Sequence, residues 1–386
     1  MIAGLPKESY TGERRVALVP ANLAALQKLG VEVLIEAGAG ASAGFSDAAY
    51  VEKGGKLAAS RQEVFAEAEL VLRVRGLSGA AADDLALLKK GQALVGLLEP
   101  LVAPQGIKQL AQRGATAFAL ELVPRITRAQ SMDVLSSMAT VVGYKAVLLA
   151  ADALPRMFPL MMTAGGTLTP ARVFVIGAGV AGLQAIATAR RLGALVEAYD
   201  VRPAVKEQVE SLGAKFVELP LESGDSQDKG GYAKAMDEAF YQKQRETMAR
   251  VVAGSDVVIA TAAVPGKKAP VLVTAAMLAT MRPGSVIVDI AAEQGGNCEV
   301  TRAGETLTHQ GVSVIGPLNL ASAVPHPASQ MYGKNLSNFL ALLVKNGTLS
   351  VNTEDEILRE TLVTRDGEVV HSRVREALGL PAPVTA

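Results

Sequence analysis

Short apolar segments alternate with segments of helical periodicity along most of the 386-residue chain. In the N-terminal third, the pattern predicts strands at residues 2–4, 31–35, 70–74, 93–97 and 115–120, with helices at 20–29, 61–66, 83–89 and 104–112. From residue 171 onward it predicts strands at 173–176, 195–199, 215–217, 257–260, 286–290 and 312–315, with helices at 205–212, 241–253 and 274–281. This alternation is typical of parallel, doubly wound sheets, so the predicted fold class is α/β with two Rossmann-like domains.

Residues 131–154 interrupt the alternation with one long helix of low polarity, which is expected to link domains or to pack in an interface. Another helix is predicted at 328–344, in a C-terminal segment too short for a further domain. We therefore predict a discontinuous first domain, residues 1–136 with 325–386, which the C-terminal helix closes. The second domain is predicted at residues 137–324.

The clearest motif is a glycine-rich turn within residues 173–200. An apolar strand leads into Gly177-Ala178-Gly179-Val180-Ala181-Gly182, a helical pattern follows, and a second strand ends at Asp200. A lone G-x-G-x-x-G would be weak evidence in a chain with 37 glycines. Here strand, turn, helix, strand and acid have the order and spacing of a dinucleotide-binding unit.

Each glycine of the turn has a physical task. Gly177 permits a tight turn, Gly179 lets backbone N–H groups approach a pyrophosphate, and Gly182 lets helix and strand pack closely. The pyrophosphate is expected on the helix N-terminus, at Val180 and Ala181. A turn without any ligand is the alternative.

The acid at the end of the second strand bears on nucleotide choice. Asp200 is expected to accept hydrogen bonds from the adenosine ribose and to repel a 2′-phosphate, which favours NAD(H). Arg202, two residues on, leaves NADP(H) open as an alternative, since a cation there could admit that phosphate.

Composition and charge argue against several classes of protein. Lys+Arg and Asp+Glu both number 38, so the charge balance gives no argument for a nucleic-acid-binding surface or a polybasic membrane anchor. Lys145 and Asp152 interrupt the nearest approach to an uncharged membrane-spanning run, and no signal-peptide pattern opens the chain. The single cysteine, Cys298, excludes an internal disulfide and is interpreted as a packing residue. We expect a soluble intracellular protein without a metal site.

Residues 222–234 form a polar, glycine-bearing insertion without apolar periodicity. Long loops of this kind inside compact domains are usually functional lids or disordered segments. Tyr232, next to Gly231, is the side chain there most able to bury a ligand. A passive surface loop is the alternative.

Several stretches outside the glycine turn resemble one family. PKE at 6–8 and GERRVA at 12–17 are similar to the amino terminus shared by alanine dehydrogenases and the NAD(H)-binding subunit of proton-translocating transhydrogenase. VPGK at 264–267 and DIA with QGG at 289–296 recur in both groups. PRITRAQSMD at 124–133 and GGYAK at 230–234 resemble the transhydrogenase side only, and the resemblance covers essentially the whole chain.

The resemblance implies a nicotinamide site on the loop at 125–136. Four residues are expected to act on the nicotinamide end: Arg125, Gln130, Asp133 and Ser136. Gln130 would reach toward a second nucleotide. The resemblance implies further NAD(H)-binding residues at Ile126, Thr127, Arg128, Val201, Arg202, Gly231, Tyr232 and Pro265. A helix N-terminus with ordinary capping groups is the alternative for the 125–136 loop.

Departures from alanine dehydrogenase concern its catalytic residues. Arg75 stands where that enzyme has a lysine, Glu99 where it has a histidine, and Glu293 replaces an aspartate. Arginine does not release a proton near neutral pH, so it substitutes poorly in acid–base work. Of the residues that bind the keto acid, Arg15 alone persists. The three histidines, His309, His326 and His371, are interpreted as surface or packing residues.

The implied activity is hydride transfer from C4 of NADH to C4 of NADP⁺, which needs no general acid or base. NADP(H) would lie on a partner subunit, and a separate membrane subunit would translocate protons. The resemblance further implies a homodimer in the cytoplasm, peripheral to the inner membrane through its partners. An amino-acid dehydrogenase of the alanine type and a non-catalytic NAD(H)-sensing module are the alternatives.

Overall fold

The computed structural model describes residues 1–76, 82–218, 238–263 and 268–381. Its strands are β1 (Ile2–Leu5), β2 (Glu32–Glu36), β3 (Lys56–Ala58), β4 (Leu70–Arg75), β5 (Ala93–Leu97), β6 (Thr116–Ala119), β7 (Met161–Thr163), β8 (Gly166–Leu168), β9 (Arg172–Ile176), β10 (Leu195–Tyr199), β11 (Lys215–Phe216), β12 (Val257–Ala260), β13 (Val286–Asp289), β14 (Thr306–His309), β15 (Val312–Ile315), β16 (Val344–Lys345), β17 (Thr348–Leu349), β18 (Leu362–Arg365) and β19 (Glu368–Val369). Its α-helices are α1 (Leu23–Lys28), α2 (Asp47–Glu52), α3 (Arg61–Glu67), α4 (Ala82–Leu87), α5 (Pro104–Gln112), α6 (Val134–Ala153), α7 (Val180–Arg191), α8 (Lys206–Ser211), α9 (Glu238–Ala253), α10 (Ala275–Leu278), α11 (Pro325–Leu343), α12 (Glu356–Thr361) and α13 (Ser372–Ala377).

The chain divides into two compact units, residues 1–138 with 322–386 and residues 139–321. The sheet of the first unit has the order β19-β18-β6-β5-β4-β1-β2-β3. All neighbours from β3 to β6 are parallel, and this part has the strand order of a Rossmann-type sheet. The α5 residues Ile107 and Leu110 belong to the same buried apolar cluster as Val71, Leu94 and Ala117 of the sheet.

The C-terminal segment returns to the first unit. The helix predicted at 328–344 occurs as α11, and its Phe339 ring meets the Phe118 ring of β6 edge-on, with 5.8 Å between centroids. The structure also places β18 antiparallel against β6, which the sequence interpretation missed. β18 is short and its partner is remote in the chain, so no local periodicity identifies it.

The sheet of the second unit has the order β11-β10-β9-β12-β13-β15-β14, parallel except for the pair β14 and β15. Along β9, Val173 and Val175 pack in one core cluster, and Phe174 and Ile176 pack in another. The apolar side chains of β9 are therefore buried on both faces of the sheet, as expected of a parallel sheet between layers of helices. The predicted fold class, two doubly wound α/β domains with the first discontinuous, is confirmed.

The long helix starts later than the sequence predicted. Residues Thr127–Met132 form a 3₁₀ helix and α6 begins at Val134, because Asp133, with ψ at 89°, leaves the helical conformation. By length and composition, α6 is apolar enough to cross a membrane. Its residues Ala146, Val147 and Ala150 are fully buried in the core of the second unit, which also accounts for its low polarity.

Candidate functional site

The turn between β9 and α7 holds the first motif glycine at the centre of the second sheet. Gly177 has a φ of 94°, which glycine adopts without strain. Its N–H donates to Tyr199 O at 2.8 Å, and its carbonyl accepts from Thr261 Oγ1 at 2.9 Å. The turn is thereby tied to the ends of both strands that flank β9. This is the point where the strand order reverses, at which α/β sheets bind ligands.

The other two glycines have different surroundings. A Cβ built on Gly182 would lie far inside the van der Waals distance of Gly177 O, so only glycine lets α7 approach the turn. A Cβ on Gly179 would meet no described protein atom within 4 Å. Gly179 is also the N-cap of α7 and gives no side-chain cap, so the cap residue satisfies none of the first N–H groups of the helix with a side chain. This cradle fits an anionic pyrophosphate.

Asp200 follows β10 and is buried. Its Oδ2 accepts from Ala178 N at 2.8 Å, so the acid helps to hold the glycine turn. Arg202 donates to both carboxylate oxygens, through N and Nε at 2.9 Å and through Nη2 at 2.8 Å. Val201, between them, is half-buried. The two nucleotide-specificity candidates, Asp200 and Arg202, therefore form an ion pair with each other.

Gly143 of α6 is a positioning residue that sequence reasoning missed. A Cβ at Gly143 would clash with the carbonyl oxygen of Ala181, in the first turn of α7. The crossing of α6 and α7 therefore requires a glycine at this place, and it fixes the helix end beside the glycine turn. The available signal was an isolated glycine inside an apolar helical pattern.

The loop predicted to hold the nicotinamide lies in the first unit. Ala129 and Met132 are buried, and Ser131 O accepts from both Asn335 Nδ2 and Asn338 Nδ2 of α11 at 2.9 Å. The side chains of Arg125, Thr127, Arg128 and Gln130 are exposed, and Ile126 is half-buried. The loop is therefore fixed through its backbone while most of its predicted binding side chains face outward.

Arg128 has a structural partner. Its guanidinium pairs with Asp355 at 2.7 and 3.2 Å, and Asp355 caps α12 by accepting from Ile357 N and Leu358 N. The hydrogen bond to Arg128 lowers the pKa of Asp355. This pair accounts for Arg128 without a ligand.

Asp133 and Ser136 bond to each other at the start of α6. Asp133 Oδ1 accepts from Ser136 N at 2.9 Å, and Oδ2 accepts from Ser136 Oγ at 2.6 Å. This is the arrangement of an N-terminal helix cap. The capping alternative is therefore realised for these two residues, although the carboxylate keeps lone pairs for a ligand.

Arg15 and Arg75, the two arginines at positions compared above with catalytic residues of alanine dehydrogenase, form ion pairs within the first unit. Arg15 makes a buried, two-point contact with Glu13, Nε to Oε1 at 2.8 Å and Nη2 to Oε2 at 2.7 Å. Burial opposes its charge, yet the hydrogen bonds to Glu13 raise the pKa of Arg15. Arg75 donates to Glu99 and lies 4.6 Å over the Tyr10 ring. Neither guanidinium is positioned as a solitary anion receptor.

Glu121 lies next to this cluster. Its Oε1 accepts from Glu99 N at 2.5 Å, and its Oε2 is buried without a hydrogen-bond partner in the described part of the chain. Burial raises the pKa of Glu121 to about 7. Glu99 has a φ of 53°, in the left-handed region, and its N–H donates to the Glu121 carboxyl.

The DIA and QGG stretches fold as a structural loop around Asp289. Its carboxylate accepts from Ala291 N, Asn297 N, Cys298 N and Thr301 Oγ1 at 2.7–3.1 Å. Burial raises the pKa of the Cys298 thiol to about 11, which makes this cysteine a poor nucleophile.

The histidines and Glu293 also have local roles. His326 stacks on Phe45 with 4.3 Å between centroids, and its Nδ1 lies 2.8 Å from Ala43 O. His371 is buried, His309 half-buried, and Glu293 accepts from Asn319 N. Among residues 1–76, 82–218, 238–263 and 268–381, no group of three or more acidic, histidine or cysteine side chains is arranged for a metal ion. The predicted residues Gly231, Tyr232 and Pro265, and the 222–234 insertion, lie outside the described residues.

The chain is similar to known proteins over nearly its full length. Residues 4–142 and 146–372 match the N- and C-terminal domain models of "Alanine dehydrogenase/PNT". The chain is 46% identical over 376 residues to the first part of NAD(P) transhydrogenase subunit alpha from Rhodospirillum rubrum, covering 96% of this chain and 98% of that protein. It is 32% identical to alanine dehydrogenase of Halomonas elongata, covering 98% and 97%. A crystal structure of transhydrogenase from Sinorhizobium meliloti superposes with a TM-score of 0.86 at 44% identity, covering 96% and 100%.

Proposed function

Since the chain belongs to the alanine dehydrogenase/PNT family, we propose that it is the NAD(H)-binding component of a proton-translocating transhydrogenase. Two relatives named transhydrogenase are 46% and 44% identical, whereas two named alanine dehydrogenase are 32% and 31% identical. The PRITRAQSMD stretch supports the same side of the family. In this proposal, hydride passes directly between NAD(H) on this chain and NADP(H) on a partner subunit.

The observation that carries the proposal is that Arg15 pairs with Glu13 and Arg75 pairs with Glu99. Reduction of a keto acid or its imine needs a cation that binds the carboxylate and a nearby acid that supplies a proton. Here Glu13 and Glu99 occupy the two guanidinium groups, and arginine cannot serve as the acid. Transfer between two nucleotides requires neither group.

The described residues suit binding and orientation of NAD(H). When bound, the nicotinamide would supply or accept the hydride at C4. The turn at Gly177 and Gly179 would hold the pyrophosphate through backbone N–H groups, and Asp200 would receive the adenosine ribose. Asp133 and Ser136 present oxygen atoms for the carboxamide and its ribose. Arg125 would grip the pyrophosphate or the ribose hydroxyls.

Partners and location follow from the same proposal. The chain would work as a homodimer with an NADP(H)-binding beta subunit and a transmembrane subunit. It would lie in the cytoplasm against the inner membrane through those partners. The relatives' name, subunit alpha, supports a multi-subunit complex.

The proposal is tested by mixing this chain with the NADP(H)-binding component and following reduction of an NAD⁺ analogue by NADPH. Transfer well above the background of either component alone is expected. The chain alone should not oxidise NADH with pyruvate and ammonia. Clear turnover in that assay would show that the chain is an amino-acid dehydrogenase. NADH binding without hydride transfer in the mixture would instead favour the non-catalytic NAD(H)-sensing module.

Gln130→Asn is expected to leave NADH affinity nearly unchanged and to slow transfer in the mixture. Gln130 is exposed, so shortening its side chain by one methylene disturbs little of the fold. The family role implied for it is to reach toward the second nucleotide. NADH titration of the chain alone, compared with transfer rates in the mixture, separates the two effects. A large loss of NADH affinity would show that Gln130 contacts NADH bound to the chain alone and does not act only during transfer.

Asp200→Ala is expected to weaken NADH binding by about 1.5–3 kcal/mol, the range for a lost hydrogen bond to a charged group. Calorimetric titration measures the change. Asp200→Asn is the comparison variant, since it keeps the shape and one acceptor oxygen but removes the charge, and so separates the loss of charge from the loss of the whole side chain. Unchanged affinity in Asp200→Ala would refute the ribose role.

A further inference from the structure

The carboxylate of Asp200 has its acceptor positions filled by N–H groups of this chain. Oδ1 accepts from Arg202 N and Nε, and Oδ2 accepts from Ala178 N and Arg202 Nη2, all at 2.8–2.9 Å. An ionised carboxylate offers about four lone-pair sites, so these four donors saturate it. Two of the four donors belong to the Arg202 side chain.

This ion pair is largely shielded from water. The side chain of Asp200 is 5% exposed and that of Arg202 is 14% exposed. Two charge-assisted hydrogen bonds from one guanidinium to one carboxylate form the strong, geometrically specific type of pair. The partners are two residues apart in sequence, so the contact forms without help from remote elements.

A ribose diol at Asp200 and the guanidinium of Arg202 require the same lone pairs. Two of the four donors are backbone N–H groups, that of Ala178 in the glycine turn and that of Arg202. The guanidinium is carried on a flexible side chain and can move away. We infer that Arg202 is an intramolecular competitor for Asp200, which must release the carboxylate before the adenosine ribose of a nucleotide binds. The inference rests on the proposed function, in which Asp200 receives the ribose of NAD(H).

Two consequences for the nucleotide follow. Arg202 lowers the affinity for NADH, because two charge-assisted bonds must break when the ribose bonds form. Once displaced, it remains a cation tethered beside Asp200, where it attracts the 2′-phosphate of NADPH. Arg202 therefore reduces the ratio of NADH affinity to NADPH affinity at this site.

Arg202→Met tests the inference, because methionine keeps an unbranched apolar stem and removes the guanidinium. The full chain is titrated with NADH, with NADPH and with reduced nicotinamide mononucleotide, which has no adenosine ribose. We expect NADH to bind about 5- to 20-fold more tightly, since the variant has no charged pair to break. The affinity for NADPH should rise by a smaller factor or fall, and the affinity for the mononucleotide should be unchanged. Arg202→Lys, which keeps the charge but loses the two-point contact, should fall between wild type and methionine.

NADH affinity that is unchanged or weaker in Arg202→Met would overturn the competitor role. Tightening of NADH and the mononucleotide by the same factor would also overturn it, since the effect would not involve the ribose. Thermal melting checks that both variants are folded. If methionine destabilises the turn, the comparison of NADH affinity between wild type and Arg202→Lys still tests the inference. Failure of wild-type chain to bind NADH at all would instead refute the proposed function.

Discussion

Replacing Gly182 with alanine is expected to weaken NADH binding by about 3 kcal/mol or more, over a hundredfold, and to destabilise the protein by about 1–3 kcal/mol. The added methyl would overlap the carbonyl oxygen of Gly177, and neither backbone can yield without moving the turn. Displacing the turn removes its N–H groups from the pyrophosphate. NADH titration and urea denaturation measure the two losses.

Two other glycine-to-alanine changes are matched controls. Gly179→Ala places its methyl in space where no described protein atom lies within 4 Å, so stability should change by less than about 0.5 kcal/mol while NADH affinity falls. Gly106→Ala, in α5 of the first unit, also meets no described protein atom and should leave NADH binding intact. Wild-type NADH affinity in Gly182→Ala would show that the nucleotide does not depend on this turn.

Glu121→Gln is expected to stabilise the protein by about 2–3 kcal/mol at pH 8 and to change little at pH 5. Burial raises the pKa of Glu121 from 4.5 to about 7, so the folded state binds more protons than the unfolded state between these values. The free energy of unfolding of the wild type therefore falls as pH rises through this window, and the loss is complete above pH 7. Glutamine stays neutral and has no such loss.

Urea denaturation of both proteins between pH 5 and pH 8.5 tests this. Glu52→Gln is the control, because it makes the same chemical change at an exposed carboxylate. Parallel stability curves for wild type and Glu121→Gln would show that Glu121 is ionised in the fold at neutral pH.

Local periodicity predicts most of the two sheets because their parallel strands are buried on both faces. Strands such as β9 and β12 are apolar runs bounded by polar or glycine residues, so their position is visible without a structure. Strand β3, with the sequence KLA, lies at a sheet edge and carries little apolar signal. Strand β18 depends on pairing with β6, a contact between remote parts of the chain. The sequence contains the residues for such pairing without a local pattern that reveals it.

The candidate site divides in the same way. The tasks of Gly177 and Gly182 are geometric consequences of a tight turn and a close helix, which the spacing of the motif already implies. The partners of charged side chains are not implied by spacing. Arg128 could face a nucleotide or Asp355, and Asp133 could bind a carboxamide or cap a helix, since the same oxygen and nitrogen atoms serve both purposes. The saturation of Asp200 by Arg202 depends on the path of one flexible side chain.

The pairing of β18 with β6 has a consequence for synthesis on the ribosome. Residues 116–119 are translated long before residues 362–365, and the whole second unit is made in between. The second unit is one continuous stretch and can fold as soon as it emerges. Meanwhile the β6 edge of the first sheet lacks its native neighbour, and open strand edges are templates for pairing with other chains. The nascent first unit thus keeps an open edge until residues 362–365 have been made, and this edge is exposed to pairing with other chains during that interval.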